Sequence, residues 1–598
     1  MKRCLPRWAT APFSCGQAAL FLSAMLMGAQ AQGQQRIVDE SLDERDGSRI
    51  EIRSVFDPLP SSGYAPLRIV ATNGSGRDAV WHVEFNSQTQ DYRNNNVHRS
   101  EVNLSLPARS TQTVLFLAPL AVDYGDSSGY GQSGHVFSGS VTGPVVRSFS
   151  SYSNRNAGFP AIAISKTLAD GSLDRLNDEL ERKQTAVSSP SRGDQVFGSR
   201  FIPADLPEDW LAFSGFDYVM LTDTDWQSLR PGSRNALLQW VRLGGRLHFY
   251  VTKLPANGLP ADDKAFSLGQ IETLTWNGRS IPADETVARY WQGVERLEQL
   301  RLEHTRDSDW GPLAALGKRS FNSWQVIVFL VLFGVLVGPV NLYILAPSGR
   351  RHRLFLTTPL LSLGASLAMV GIILLQDGIG GIGARIVFIN VEPAETTAYV
   401  TQKQASRTGV LLGAGFELKQ PALVEPLALP ASDWVKLKTT HDSQPVNLTL
   451  QAANRGGNFF QSRTEQAQMI RAAVSIRARL EVQPGATPDA PPTLVSALGF
   501  TLEEMFYAGP DGTVWSLKSP LSTGQKAELA KVQPGQLGEW WRRHAEIIKI
   551  PAMKELTSVL PNHFFATTKS APGFTQETLS AIRWQEDKIL VYGSVPPP

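Results

Sequence analysis

Cysteine is nearly absent from this sequence. Among 598 residues there are two, Cys4 and Cys15, both within the first fifteen. With that leader removed, the chain has no disulfide, no thiolate nucleophile and no cysteine-ligated zinc or iron–sulfur centre. A bias of charge is missing as well. Lys and Arg number 57 against 55 Asp and Glu; without Lys2, Arg3 and Arg7 of the leader, 54 basic residues face 55 acidic ones. A near-neutral chain has no field to attract a polyanion, so nucleic acid is not expected as a partner. Charged residues are 19% and hydrophobic ones 42%, a composition that builds packed cores rather than disordered coil. At about 100–200 residues per domain, three or four domains are expected.

Signatures of catalysis are also lacking. The nine histidines, His82, His98, His135, His248, His304, His352, His441, His544 and His563, form no H-x-x-x-H or H-E-x-x-H pair. No G-x-S-x-G elbow and no G-x-x-x-x-G-K-[ST] loop occurs. Gly378-Ile379-Gly380-Gly381-Ile382-Gly383 matches G-x-G-x-x-G, but it follows an apolar span and precedes a strand. A dinucleotide site needs a strand before and a helix after, so this run reads as a flexible exit from a membrane. No cofactor and no metal is expected.

Long apolar runs, in contrast, are present. Trp324–Ala346 and Leu354–Gln376 each hold 23 residues without a charge. At 1.5 Å per residue each reaches about 34 Å, enough for a hydrocarbon core of roughly 30 Å, and Pro339 and Pro359 are tolerated in such helices. Residues 1–31 have the layout of a secretory signal: a basic start, the short apolar run Ala18–Met27, and Ala29-Gln30-Ala31 as the cleavage site. The turn between the spans, 347–353, carries Arg350, Arg351 and Arg353, which favour the cytoplasmic side. Both long segments, 32–320 and 377–598, are therefore expected on the opposite side, with the lipid bilayer as one partner.

The first segment changes character along its length. Ser48–Val55, Pro66–Thr72, Val80–Phe85, Glu101–Leu106 and Gln112–Leu117 are expected strands of an immunoglobulin-like sandwich over 32–150. Tyr124–Gly143, rich in Gly and Ser, is expected to be a mobile loop. Strand Phe159–Ser165, helix Ser172–Lys183, strand Asp217–Thr222, a helix opened by Pro231 and ended by Gly244-Gly245, and strand Arg246–Val251 alternate as in a parallel α/β unit. After the second span, Arg385–Val391, Val446–Gln451, Ala473–Leu480, Thr513–Leu517 and Lys588–Val595 read as strands of a mainly-β region, 385–598, with a helical segment near 537–558. In that helix the Trp540-Trp541 pair is expected to pack.

The runs Leu206-Pro207-Glu208-Asp209-Trp210, Phe216–Leu221 and Ala236–Leu247, together with Gly338-Pro339-Val340-Asn341 in the first span and the Arg-rich turn after it, carry a resemblance. They resemble membrane-anchored bacterial proteins with a class I glutamine-amidotransferase-like, flavodoxin-like domain, here 155–310. Catalytic members of that family use a Cys nucleophile with a His partner. This chain has no such Cys, so the resemblance implies a degenerate fold used for binding.

The expectation is thus a multidomain α+β membrane protein of the bacterial inner membrane, a non-enzymatic scaffold that binds another envelope protein. The alternative is an exterior hydrolase or transferase. Asp223-Thr224-Asp225 follows a strand at its C-terminal end, where open α/β sheets place their sites, and two such carboxylates could hold a divalent metal.

Overall fold

The computed structural model describes residues 36–596 apart from 61, 91–96, 122–132, 156–158, 188–195, 255–257, 261–267, 292–315, 317–322, 413–415, 419, 428–446, 451–454, 459–461, 464, 484, 486–489 and 549–560. The expected signal, with Ala29 and Ala31, lies outside the described residues. The structure is mixed α and β, mostly sheet, with two long apolar helices.

Strand Ser48–Ser54 shows how the first sheet arises. Ile50 and Ile52 are buried while Arg49, Glu51 and Arg53 point outward, the period of two that a half-buried strand requires. It lies between Arg36–Asp43 and Tyr64–Asn73 in a four-stranded sheet completed by Ser110–Pro119. A facing sheet contributes Trp81, Val83, Phe85, Val102 and Leu104 to the same core. Its seven strands run Phe416–Leu418, Arg455–Asn458, Asn447–Leu450, Val97–Leu106, Ala79–Gln90, Ser133–Thr142, Val146–Arg155. Three of them come from beyond the apolar helices.

Two expectations change here. The stretch 124–143 is not loop throughout, because Ser133–Thr142 pairs on both sides. Its Gly and Ser content hides an alternation that buries Phe137 and Val141. Ala473–Leu480 is not one strand either. The strand is Glu465–Ser475, and a short one, Leu480–Gln483, starts after a break.

The α/β unit holds parallel strands Ile162–Ser165, Ser199–Phe201, Tyr218–Thr222, Arg246–Val251 and Gln270–Thr275. In chain order they lie 2-1-3-4-5, a common doubly wound arrangement, and Phe56–Asp57 adds an antiparallel edge. Both faces are covered: Val219, Leu221, Leu247 and Phe249 pack on one side, Tyr218, Met220 and Tyr250 on the other. Helix Pro231–Arg242 lays Ala236, Leu237, Trp240 and Val241 on the first face. It ends at Gly244, whose φ of 115° suits glycine, and Gly245, where a Cβ would stand 2.2 Å from the Trp240 ring.

A nine-stranded sheet makes up most of the remainder. Near its centre Gly381–Glu392 runs antiparallel to Thr397–Thr408 and parallel to the middle strand, Ile582–Ser594. Helix Pro534–Ile548 packs on it through Trp540 and Trp541, both buried against Phe565, and the Trp540 indole donates to Glu504 Oε2 at 2.6 Å.

The apolar helices form a hairpin. The first, Ser323–Val335, continues as Leu336–Leu345 in a wider register, with the Ala346 N–H donating to the Asn341 carbonyl at 2.9 Å. Pro339 explains the widening, since it has no N–H and its ring crowds the preceding turn. Asn341 is buried and its Nδ2 donates to Thr358 Oγ1 of the second helix, Leu354–Asp377, at 2.9 Å. The run Gly378–Gly383 is not a flexible exit. Gly378 and Gly380 have φ of 77° and 86°, and four backbone bonds of 2.7–3.0 Å tie 378–381 to Gly409, Val410 and Ala581. The chain passes from the helix to strand Gly381–Glu392 through a clamped turn whose positive φ values suit glycine.

Two histidines set an acid limit on this fold. Burial holds the His98 pKa down at about 4 and that of His248 at about 3. The folded state keeps both neutral while the unfolded chain takes protons near 6.5, so their contribution is complete above pH 6.5 and is lost as pH falls towards 4. Thermal unfolding in detergent should give a lower midpoint at pH 4.5 than at pH 7.5, and His98→Gln should shrink that difference. An equal drop in both proteins would contradict this account.

Candidate functional site

The doubly wound sheet has its topological switch point between Ile162–Ser165 and Tyr218–Thr222, and a ligand would enter at the carboxyl ends of these strands. Asp223 and Asp225 stand there, as their position after the strand implies. Thr222 caps the helix Asp223–Ser228: its Oγ1 accepts from the Asp225 N–H at 3.0 Å, and Asp225 Oδ2 accepts from the Thr222 N–H at 3.0 Å. The same carboxylate reaches across the switch point. Oδ2 also accepts from Ser165 Oγ at 2.6 Å, and Oδ1 from Thr167 Oγ1 at 2.7 Å. Asp225 is 6% exposed.

This geometry separates the two acids. Asp225 has all its donors inside the protein and ties the ends of two neighbouring strands together. Asp223 is partly exposed and, among the described residues, accepts from the adjacent Thr224 N–H at 3.0 Å. Among the described residues no three His, Cys, Asp or Glu side chains converge as metal ligands. His248 Nδ1 shares a hydrogen bond of 2.7 Å with the Tyr290 hydroxyl inside the core, and His98 is buried in the sandwich. Arg350, Arg351 and Arg353 are exposed in the turn of the apolar hairpin.

Two clusters had no signal in the sequence. The first is a polar seam between the α/β unit and the nine-stranded sheet. Arg242, at the end of its helix, pairs with Glu395 at 3.0 Å and with Glu392 at 3.9 Å, and Glu395 accepts from the Tyr399 hydroxyl. Burial pushes the Glu392 carboxyl above its usual range, with Arg242 opposing it. The second is a glutamine ladder. Gln402 Nε2 donates to Gln404 Oε1 and to the Gln576 carbonyl, both at 2.9 Å, and Gln404 Nε2 donates to Gln468 Oε1 at 2.9 Å. All four are buried, and the ladder straps the chain around 576 across the sheet. Partners 64 to 174 residues apart leave no local pattern to read.

No protein-family model matches the chain, and no curated protein does. Solved structures with partial likeness include a cycloisomaltooligosaccharide glucanotransferase of Paenibacillus sp., at 9% identity and a TM-score of 0.15 over 37% of this chain and 27% of that one. The yeast delta-COP-I mu-homology domain, in complex with a Dsl1 peptide, gives 10% and 0.17 over 36% and 96%. A Bacteroides uniformis beta-glucuronidase gives 11% and 0.14 over 42% and 30%. The chain thus spans under a third of the length of either enzyme. Likeness at these TM-scores carries no argument about fold or activity.

The switch point makes a direct prediction. Asp225→Ala removes the acceptor of two buried donors, the Ser165 hydroxyl and the Thr222 N–H, and of the more exposed Thr167 hydroxyl; it should cost about 1–3 kcal/mol, lowering the thermal midpoint by several degrees, while Asp223→Asn should change stability by no more than about 0.5 kcal/mol. Millimolar Mg²⁺ or Mn²⁺ should leave the wild-type midpoint unchanged. A metal-induced rise that Asp223→Asn abolishes would restore the hydrolase reading.

Proposed function

We propose that this chain is a two-span anchor of the bacterial inner membrane whose exterior body binds another envelope protein without catalysing a reaction. In this reading residues 1–31 are a cleaved signal, the N-terminal sandwich is immunoglobulin-like, and the α/β unit is a class I glutamine-amidotransferase-like domain without its nucleophile. The 2-1-3-4-5 strand order is compatible with that last assignment.

The observation that carries the proposal is the shared core. Val387, Ile389 and Val391, which follow the apolar hairpin, belong to one buried cluster with Leu211, Val219 and Leu247, which precede it. Tyr64 also donates to the Ala422 carbonyl at 3.3 Å. Segments that share a core occupy one compartment, so the hairpin must return the chain to the side from which it entered. The two helices, Val326–Leu345 and Arg351–Ile372 by length and composition, keep their apolar side chains exposed, as lipid-facing helices do. Three arginines in the short turn favour the cytoplasm for it. Asp225 is held by Ser165, Thr167 and Thr222, which leaves it a positional part in the fold in this reading.

Single cysteines test the arrangement in a chain whose leader is cleaved. Gly76→Cys and Ser519→Cys, both at exposed positions, should react with an impermeant maleimide on intact spheroplasts. Ser348→Cys, in the turn, should react only after permeabilisation. Crosslinking in intact cells, followed by purification of the full chain in mild detergent, should bring down one envelope protein in fixed ratio. Labelling of Ser348→Cys from outside, or a chain that purifies alone, would overturn the proposal.

A further inference from the structure

The two ends of the apolar hairpin meet the exterior body at the same place. The second helix ends at Asp377, and after three intervening residues Gly381 opens the strand Gly381–Glu392 inside the nine-stranded sheet. Ahead of the first helix, the Leu316 side chain packs with Ala384, Ala405 and Ala467, and its carbonyl accepts from Arg407 Nη1 at 3.0 Å. The rim of the sheet formed by Gly381, Thr408 and Ile582, which are register partners, is therefore the rim nearest the hairpin.

That rim exposes apolar side chains that no described residue covers. Ile379 is 69% exposed and Leu412 is 91% exposed. Both are held in place. Ile379 bridges to Val410, the Val410 N–H donates to the Gly378 carbonyl at 2.9 Å, and the Leu411 N–H donates to Ser462 Oγ at 2.9 Å. Leu411 packs against the core, which leaves Leu412 outside. Arg583 is exposed on the same rim, opposite Ile382 in the register. An apolar tip with a cation beside it, two residues beyond a lipid-spanning helix, has the chemistry of the headgroup boundary: aliphatic side chains enter the acyl region and a guanidinium meets phosphate.

We propose that this rim is a second membrane contact, with Ile379 and Leu412 seated below the phosphates and Arg583 paired with them. The contact fixes the long axis of the sheet relative to the bilayer, so that the exterior body stands at a set angle instead of swivelling on its helices. The inference rests on the membrane-spanning reading of the hairpin.

Site-directed quenching tests it. A bimane probe is placed on Leu412→Cys in the full chain, with Cys4 and Cys15 replaced by Ser, in nanodiscs that contain phosphatidylglycerol and a phosphatidylcholine nitroxide-labelled high on its acyl chain. Leu367→Cys, in the second helix, is the positive control. Ala394→Cys, exposed beyond the far end of strand Gly381–Glu392, is the negative one. The Leu412 probe should be quenched several-fold more than the Ala394 probe, and Arg583→Gln should reduce that quenching. If Leu412 behaves like Ala394 while Leu367 is quenched, the rim contact is wrong and the spanning hairpin stands. If Leu367 is not quenched either, the spanning reading itself falls.

Discussion

The constraint on which the rest of this structure depends is that one hydrophobic core is built from chain on both sides of an apolar hairpin. Val219 and Leu247 of the α/β unit belong to the same buried cluster as Val387, Ile389 and Val591. Apolar burial of this kind cannot be divided between two aqueous compartments. It joins what reads as separate modules into one body, so that the hairpin leaves and re-enters the same folded unit. The Arg242–Glu395 pair and the strands that complete the sandwich sheet are further consequences of the same closure.

How far the sequence reveals this differs from element to element. Ser48–Ser54 and Arg246–Val251 are legible because their apolar pattern is local, and the structure places both within a residue of the expectation. The apolar helices are legible because nothing but a lipid-facing or deeply buried role explains such runs. Thr397–Thr408 is not legible. Its sequence, TAYVTQKQASRT, looks like solvated loop, yet every residue in it is buried. Its polar side chains find partners such as Gln468 and Gln576, far along the chain. The sharing of sheet strands across the hairpin escaped for the same reason, since pairing between residues 98 and 448 leaves no trace in either segment.

The candidate site shows the converse. The position of Asp223 and Asp225 after a strand is readable, but their roles are not, because capping and chemistry use the same residue types in the same place. Only the hydrogen bonds decide, and they assign Asp225 to holding Ser165, Thr167 and Thr222 together.

A disulfide across the shared sheet measures the central claim most directly. Arg99 and Thr449 lie opposite each other in adjacent parallel strands contributed by the two sides of the hairpin, and paired backbones of this kind fall within reach of a disulfide. Arg99→Cys and Thr449→Cys are combined in a chain that carries a protease site in the turn 347–353. After mild oxidation and cleavage, the two halves should run as one covalent species in denaturant and separate only on reduction. Halves that separate without reductant would contradict the account.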